Sequence, residues 1–243
     1  MSTKADHSAT AALGLRLMTR PYKKPAKDTT PPLSSRARQI LQYAHDTAHA
    51  LLAAFEHAKG AKKGTTTDEA QDLLRSMLVM AGAGLDGMTK QLIRDTLVAL
   101  SARKDAVGEE FAKFCQRSLR GDSDDELMIV DVKLLGRLFA SEQPRQLLLD
   151  RYVADLTGSS LQSVAQIRKV LAALALEDSA IGLKLADLKE PFRIRNAIIH
   201  EFDINFNHVN RNRQGRARDD MISHTNALLT AAELILNGVE DSL

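Results

Sequence analysis

From Ser34 onward the apolar residues recur at steps of three and four. Ala37, Ile40, Leu41, Ala44, Ala48, Leu51, Leu52 and Phe55 mark one face of a helix over 34–60. Gly60 and Lys62-Lys63-Gly64 end it. Thr67 then stands as an N-cap before Asp68-Glu69, acids that suit a first helical turn. Leu73, Leu74, Met77, Leu78, Ala81, Leu85, Met88, Leu92, Ile93 and Leu97 carry a second helix over 68–101. A short loop between two long helices predicts an antiparallel pair. Shorter helices follow near 105–120, 130–141, 144–156 and 160–177. Two more close the chain. One spans 188–203, with Pro191 in the first turn where its missing N–H has no partner. The other spans 217–238, with Met221, Ala227, Leu228, Ala231, Leu234 and Ile235 on one side. No alternating strand pattern occurs. The expected fold is an all-α helical bundle over 31–243, built on the long antiparallel pair.

Residues 1–30 read differently. Lys4, Arg16, Arg20, Lys23, Lys24 and Lys27 outweigh Asp6 and Asp28, and Pro21 and Pro25 interrupt regular structure. They predict a basic, disordered tail, with a transient helix at 10–18.

Composition narrows the chemistry. Of 243 residues, 44% are apolar and 26% charged, an ordinary balance for a globular chain. Only 4% are aromatic and none is Trp, which disfavours base stacking as the main binding device. A net charge of +2 leaves any attraction to nucleic acid to local patches. The single Cys115 excludes an internal disulfide framework or a cysteine-rich zinc site. That fits a reducing, cytoplasmic setting. It lies between Phe114 and Gln116 in a helical pattern, as a packed residue would. No stretch approaches the ~18 apolar residues of a membrane span, and the N-terminus lacks a secretory pattern.

Three apparent motifs dissolve on inspection. Gly82, Gly84 and Gly87 lack the preceding strand and the GK[ST] of a phosphate loop, and instead permit close helix approach. The acidic run 121–126 lacks the ligand alternation of a calcium loop and reads as a solvated linker. The pair 144–177 has helix-turn-helix spacing, with Gln162, Gln166, Arg168 and Lys169 available to a groove, but no strong basic face.

The helix at 188–203 carries the distinctive charges. At about 100° per residue, Phe192, Ile194, Ile198, Ile199 and Phe202 share one arc, with Arg195 near its middle. Arg193, Asn196, His200 and Asp203 fall opposite. An arginine on an apolar arc needs a partner. That partner is an internal acid such as Asp86 or Asp95, a phosphate, or another subunit.

Arg195-Asn196 followed by His200 resembles the Arg–x4–His signature of HEPN-domain ribonucleases. The setting of a late helix behind a long antiparallel pair is similar too. The resemblance implies a homodimer that cleaves RNA without metal or other cofactor. It assigns Arg195 to the charge building on the phosphorane. His200 becomes general base or acid for attack by the 2′-hydroxyl. Asn196 orients the imidazole or binds phosphate. It further implies a toxin–antitoxin or antiviral role, with an antitoxin protein as a possible partner. Arg195 and His200 lie about 140° apart on an ideal helix. A distorted first turn, a long arginine or a second subunit must therefore bring them together. Arg193, seven residues before His200, is a supporting phosphate ligand on the same face.

Arg211, Arg213, Arg216 and Arg218 form the densest basic patch of the expected domain. They read either as a grip on the RNA backbone or as a solvated loop. His208 and His224 lie nearby without metal-ligand spacing. Two other functions stay open. One is an inactive HEPN-like module that binds RNA, nucleotide or protein. The other is a helical DNA-binding regulator.

Overall fold

The computed structural model describes residues 14–59, 66–119 and 131–243. They form eight α-helices and one 3-10 turn, with a single isolated bridge, Ile204 to Arg213, as the only β pairing among them. The helices are α1 (Ser35–Lys59), α2 (Asp68–Arg103), α3 (Asp105–Leu119), α4 (Val132–Ala140), α5 (Pro144–Thr157), α6 (Val164–Ala173), α7 (Lys189–Glu201) and α8 (Arg218–Glu240). The all-α expectation holds. Thr67 caps α2 as its sequence suggests, its side chain accepting from the Ala70 N–H. The acidic run 121–126 and the first helix stop, Gly60 to Gly64, lie outside the described residues.

α1, α2 and α8 are the frame. Arg36 pairs with Asp95, Ile40 lies against the Gly87 position and Ala44 against Gly84. Rising numbers on α1 meet falling numbers on α2, so the long pair is antiparallel. α8 also runs against α1, since Arg38 bonds Glu240 and Glu56 bonds Arg218. It therefore runs parallel to α2. The core between them is aliphatic: Leu41, Leu52, Leu74, Met77, Leu78, Leu85, Met88, Leu92 and Ile93 are fully buried. Large aliphatic burial of this kind supplies most of the stabilisation in such a bundle, at about 25 cal/mol per Å² of apolar area.

Gly84 sets how closely α1 and α2 approach. A Cβ there would stand 2.3 Å from Ala44 Cβ, which is impossible without moving a helix. The small-residue reading of this glycine cluster is thus borne out at Gly84.

Of the stretch expected as a basic tail, residues 1–13 lie outside the described residues. Residues 14–34 do not form a free tail. They run along α1 and α8, tied by Arg16, Thr19, Arg20, Tyr22 and Ser34. Leu15 is buried and Met18 packs on the core, so two apolar side chains accompany those polar ties.

Candidate functional site

α7 lies on α2 between the frame and the loop 158–163. Pro191, Phe192 and Ile194 are buried and hold its inner face. The helix stops at Glu201, two residues earlier than its pattern predicts. Phe202 and Asp203 adopt left-handed backbone, at φ 51° and 61°. This reversal corrects the helical wheel at its end. Phe202, expected on the apolar arc, is 71% exposed. Asp203, expected on the polar face, is wholly buried.

Asp203 becomes the centre of an ion cluster. Arg75 on α2 donates Nε to Asp203 Oδ2 at 3.1 Å, and Arg216 donates Nε to the same oxygen at 2.9 Å and a terminal nitrogen to Oδ1. Arg75 also donates to Asp72 and to the Gln214 carbonyl. Gln71 accepts from the Arg216 N–H and donates to the Arg216 carbonyl. A buried charge without such partners would be costly. The cluster thereby fixes the loop 202–217 onto the start of α2.

That arrangement consumes most of the basic patch. Arg213 bonds Asp72, Arg216 bonds Asp203, and Arg218 bonds Glu56 and Asp219. Beside the Arg213 guanidinium, Asp72 is held below the usual carboxylate range. Arg193 pairs with Glu190 one turn before it. Only Arg211 of the five expected RNA-binding arginines is exposed without an ion pair among the described residues.

Arg195 differs from all of them. It is half-buried, and burial pulls its guanidinium below its ordinary value, against the pull of Asp86. Neither expected acid bonds it. Asp86 bonds Lys90 Nζ at 2.9 Å and accepts the Leu161 N–H at 2.8 Å. Asp95 belongs to Arg36. The one hydrogen bond of Arg195 goes from Nη1 to Asn196 Oδ1, at 3.1 Å. Its stem crosses α2 at Gly82, where an added Cβ would stand 3.5 Å from both Cγ and Nε.

Asn196 is the hinge of this corner. It accepts from Arg195 and donates Nδ2 to the Gln162 carbonyl at 3.3 Å. It therefore positions the arginine and does not touch His200. His200 is exposed in the last turn of α7 and has no hydrogen bond among the described residues. Arg193 is exposed as well, so the two share an outer face while Arg195 turns toward α2. Within one chain the structure joins Arg195 to Asn196 and leaves His200 apart.

Asp203, Arg75, Gln71 and Gln162 were not legible as part of this region. Their roles depend on the backbone reversal at 202–203 and on contacts across more than a hundred residues. The helix-turn-helix reading also meets a finding: Gln162 and Gln166 bond each other, Gln162 N–H to Gln166 Oε1 at 2.6 Å. Lys169 pairs with Asp155.

A cleft of about 600 Å³ opens beside the start of α7, between the 3-10 turn Leu185–Leu188 and α8. Arg16, Lys184, Glu190 and His224 line it over an apolar floor that includes Leu188 and Ala231. Burial lowers the pKa of His224, against the opposing pull of Glu190 and Asp220. Among the described residues no three His, Cys, Asp or Glu side chains form a metal-ligating group, and no helix is long and apolar enough to cross a membrane.

No family model matches the chain, and no curated protein or solved structure matches it.

Proposed function

We propose that this chain is a HEPN-type endoribonuclease that cleaves RNA without metal and acts in toxin–antitoxin or antiviral defence. The observation that supports this most is Arg195. A half-buried guanidinium with spare donors and no carboxylate partner is poorly explained as a structural salt bridge. It is well suited to the charge that gathers on a phosphorane.

In this reading His200 removes the proton from a 2′-hydroxyl. The 2′-oxygen bonds to phosphorus, the bond to the 5′-oxygen breaks, and the imidazolium returns the proton to the leaving oxygen. A 2′,3′-cyclic phosphate and a free 5′-hydroxyl result. Asn196 holds Arg195 in place. Because Arg195 and His200 point apart within one chain, the reading requires a homodimer whose second copy completes the site.

The test is incubation of the purified protein with total RNA in EDTA. Cleavage by the wild type, lost in Arg195→Ala and His200→Ala, supports the proposal. RNA left intact by high concentrations of folded wild-type protein defeats it.

One observation favours the second reading, an inactive HEPN-like binding module. Four of the five arginines expected to grip RNA are neutralised within the chain. RNA retention without cleavage, lost in Arg195→Ala, would select it.

A further inference from the structure

The segment 14–20 crosses α8 above two buried imidazoles. Its anchors are specific. Glu233 on α8 is buried, and its Oε1 accepts the Thr19 N–H at 2.5 Å, the Thr19 hydroxyl at 2.7 Å and the Arg20 N–H at 3.2 Å. Asn226 accepts the Arg16 N–H at 2.9 Å and donates to the Gly14 carbonyl at 3.0 Å. The Arg16 side chain reaches Thr230 and lines the cleft beside His224.

His45 and His49 sit one turn apart on α1. His45 is buried and His49 half-buried. All four of their ring nitrogens are buried, and none has a hydrogen-bond partner. That is an unusual concentration of unmet polar atoms, since buried polar groups are nearly always paired. No third ligating side chain joins them among the described residues, so they do not make a metal centre.

We propose that residues 14–20 are an acid-released latch: protonation of His45 and His49 frees them from α8 and removes the Arg16 wall of the cleft.

The reason is a conflict over one carboxylate. A neutral imidazole tolerates this site, whereas an imidazolium adds a desolvated charge and a second unpaired donor. The groups facing the pair are few. Glu233 faces His45 from α8, Asp46 faces both from α1, and the Arg16 backbone faces both from the latch itself. His45 and His49 also oppose each other's charge. Glu233 is the only buried carboxylate of the set, and it already holds Thr19 and Arg20. A protonated His45 competes with those donors for it. Burial, the largest effect, pushes His45 down to about 4 and lowers His49 as well. Opening restores His45 to its ordinary 6.5, so the bias toward the open latch grows by up to a few hundred-fold as pH falls from 6.5 to 4.

The latch stands whether or not RNA is the substrate. Its test is an NMR titration of the whole protein from pH 7.5 to 4.5, following imidazole carbons and the Thr19 and Arg20 amides. The expected result is loss of the Thr19 and Arg20 hydrogen-bonded shifts together with protonation of His45, while core amides of α2 stay native. The His45→Leu/His49→Leu variant keeps both latch amides native to pH 5. Latch amides that open at the same pH in that variant overturn the proposal. Latch and core amides lost together overturn it too, because that is global unfolding. Should the variant not fold, the wild type decides. Imidazoles that titrate near 6.5 while the latch amides stay still also overturn it.

Discussion

Gly82 gives Arg195 its path across α2. An added Cβ would touch the Arg195 side chain at ordinary contact distance, 3.5 Å from Cγ and Nε. Alanine therefore fits, and it favours a helix interior over glycine by about 1 kcal/mol. A longer branch does not fit without evicting the arginine. We expect Gly82→Ala to raise the thermal midpoint and keep RNA cleavage. Gly82→Leu should reduce cleavage as Arg195→Ala does while remaining helical by circular dichroism. Full activity in a folded Gly82→Leu protein would show that Arg195 does not act from this groove.

The stability of Arg195 variants separates function from scaffolding. The guanidinium has one hydrogen bond, to its neighbour Asn196, and no acid. Its stem, however, packs on α2. Arg195→Met keeps the stem and removes the charge, so unfolding in urea should change by no more than about 1 kcal/mol. A loss of several kcal/mol would mean that Arg195 holds the fold together through a contact that methionine cannot supply.

How far the sequence carries is visible in these two residues. The 3.6-residue period located every described helix, because the apolar face of each helix is continuous along its own chain. It even marked Gly82 and Gly84 as places of close approach. It failed at the end of α7, where Phe202 and Asp203 turn left-handed and exchange their expected sides. No local pattern announces that reversal, whose carboxylate is satisfied by Arg75 on a helix 128 positions away in sequence. The basic patch misled for the same reason. Arg213, Arg216 and Arg218 look free in sequence, yet Asp72, Asp203 and Glu56 reach them only in the folded chain.

Gly84 is the stricter glycine. Its missing Cβ would lie 2.3 Å from Ala44 Cβ, and both atoms belong to rigid helical backbone. Gly84→Ala must push α1 from α2, in contrast to Gly82→Ala. Overpacking of this sort costs about 1–3 kcal/mol. Denaturant unfolding should show that loss. A neutral Gly84→Ala would mean that the helices separate more easily than their packing implies.

Acid should weaken the whole fold through the same imidazole that faces Glu233. The native pKa of His45 lies near 4, depressed by burial from an ordinary 6.5. Above pH 6.5 both folded and unfolded forms are neutral there, and stability is complete. As pH falls the unfolded chain takes the proton first, so stability declines until pH nears 4. The full span corresponds to about 3 kcal/mol. Urea midpoints measured between pH 7.5 and 4.5 should fall, and His45→Leu should flatten the part of the curve between 6.5 and 4. An unchanged slope in that variant would assign the acid sensitivity to other groups.

Asp203 tests whether the loop after α7 depends on one carboxylate. It is wholly buried, bonded to Arg75 and Arg216, and held at φ 61°. Asn tolerates left-handed backbone as Asp does. Asp203→Asn therefore removes the charge without changing the turn. Two guanidiniums lose their shared acceptor, and Arg75 keeps only Asp72 and the Gln214 carbonyl. Breaking a buried pair costs about 3–5 kcal/mol, and the surviving Asp72 contact puts this site at the low end. The loop should also loosen before the bundle does. Trypsin should then cut at exposed Arg211 faster in Asp203→Asn than in wild type, with the helices of the frame still intact. Equal rates of cleavage would show that Gln71 and Arg213 hold the loop without Asp203.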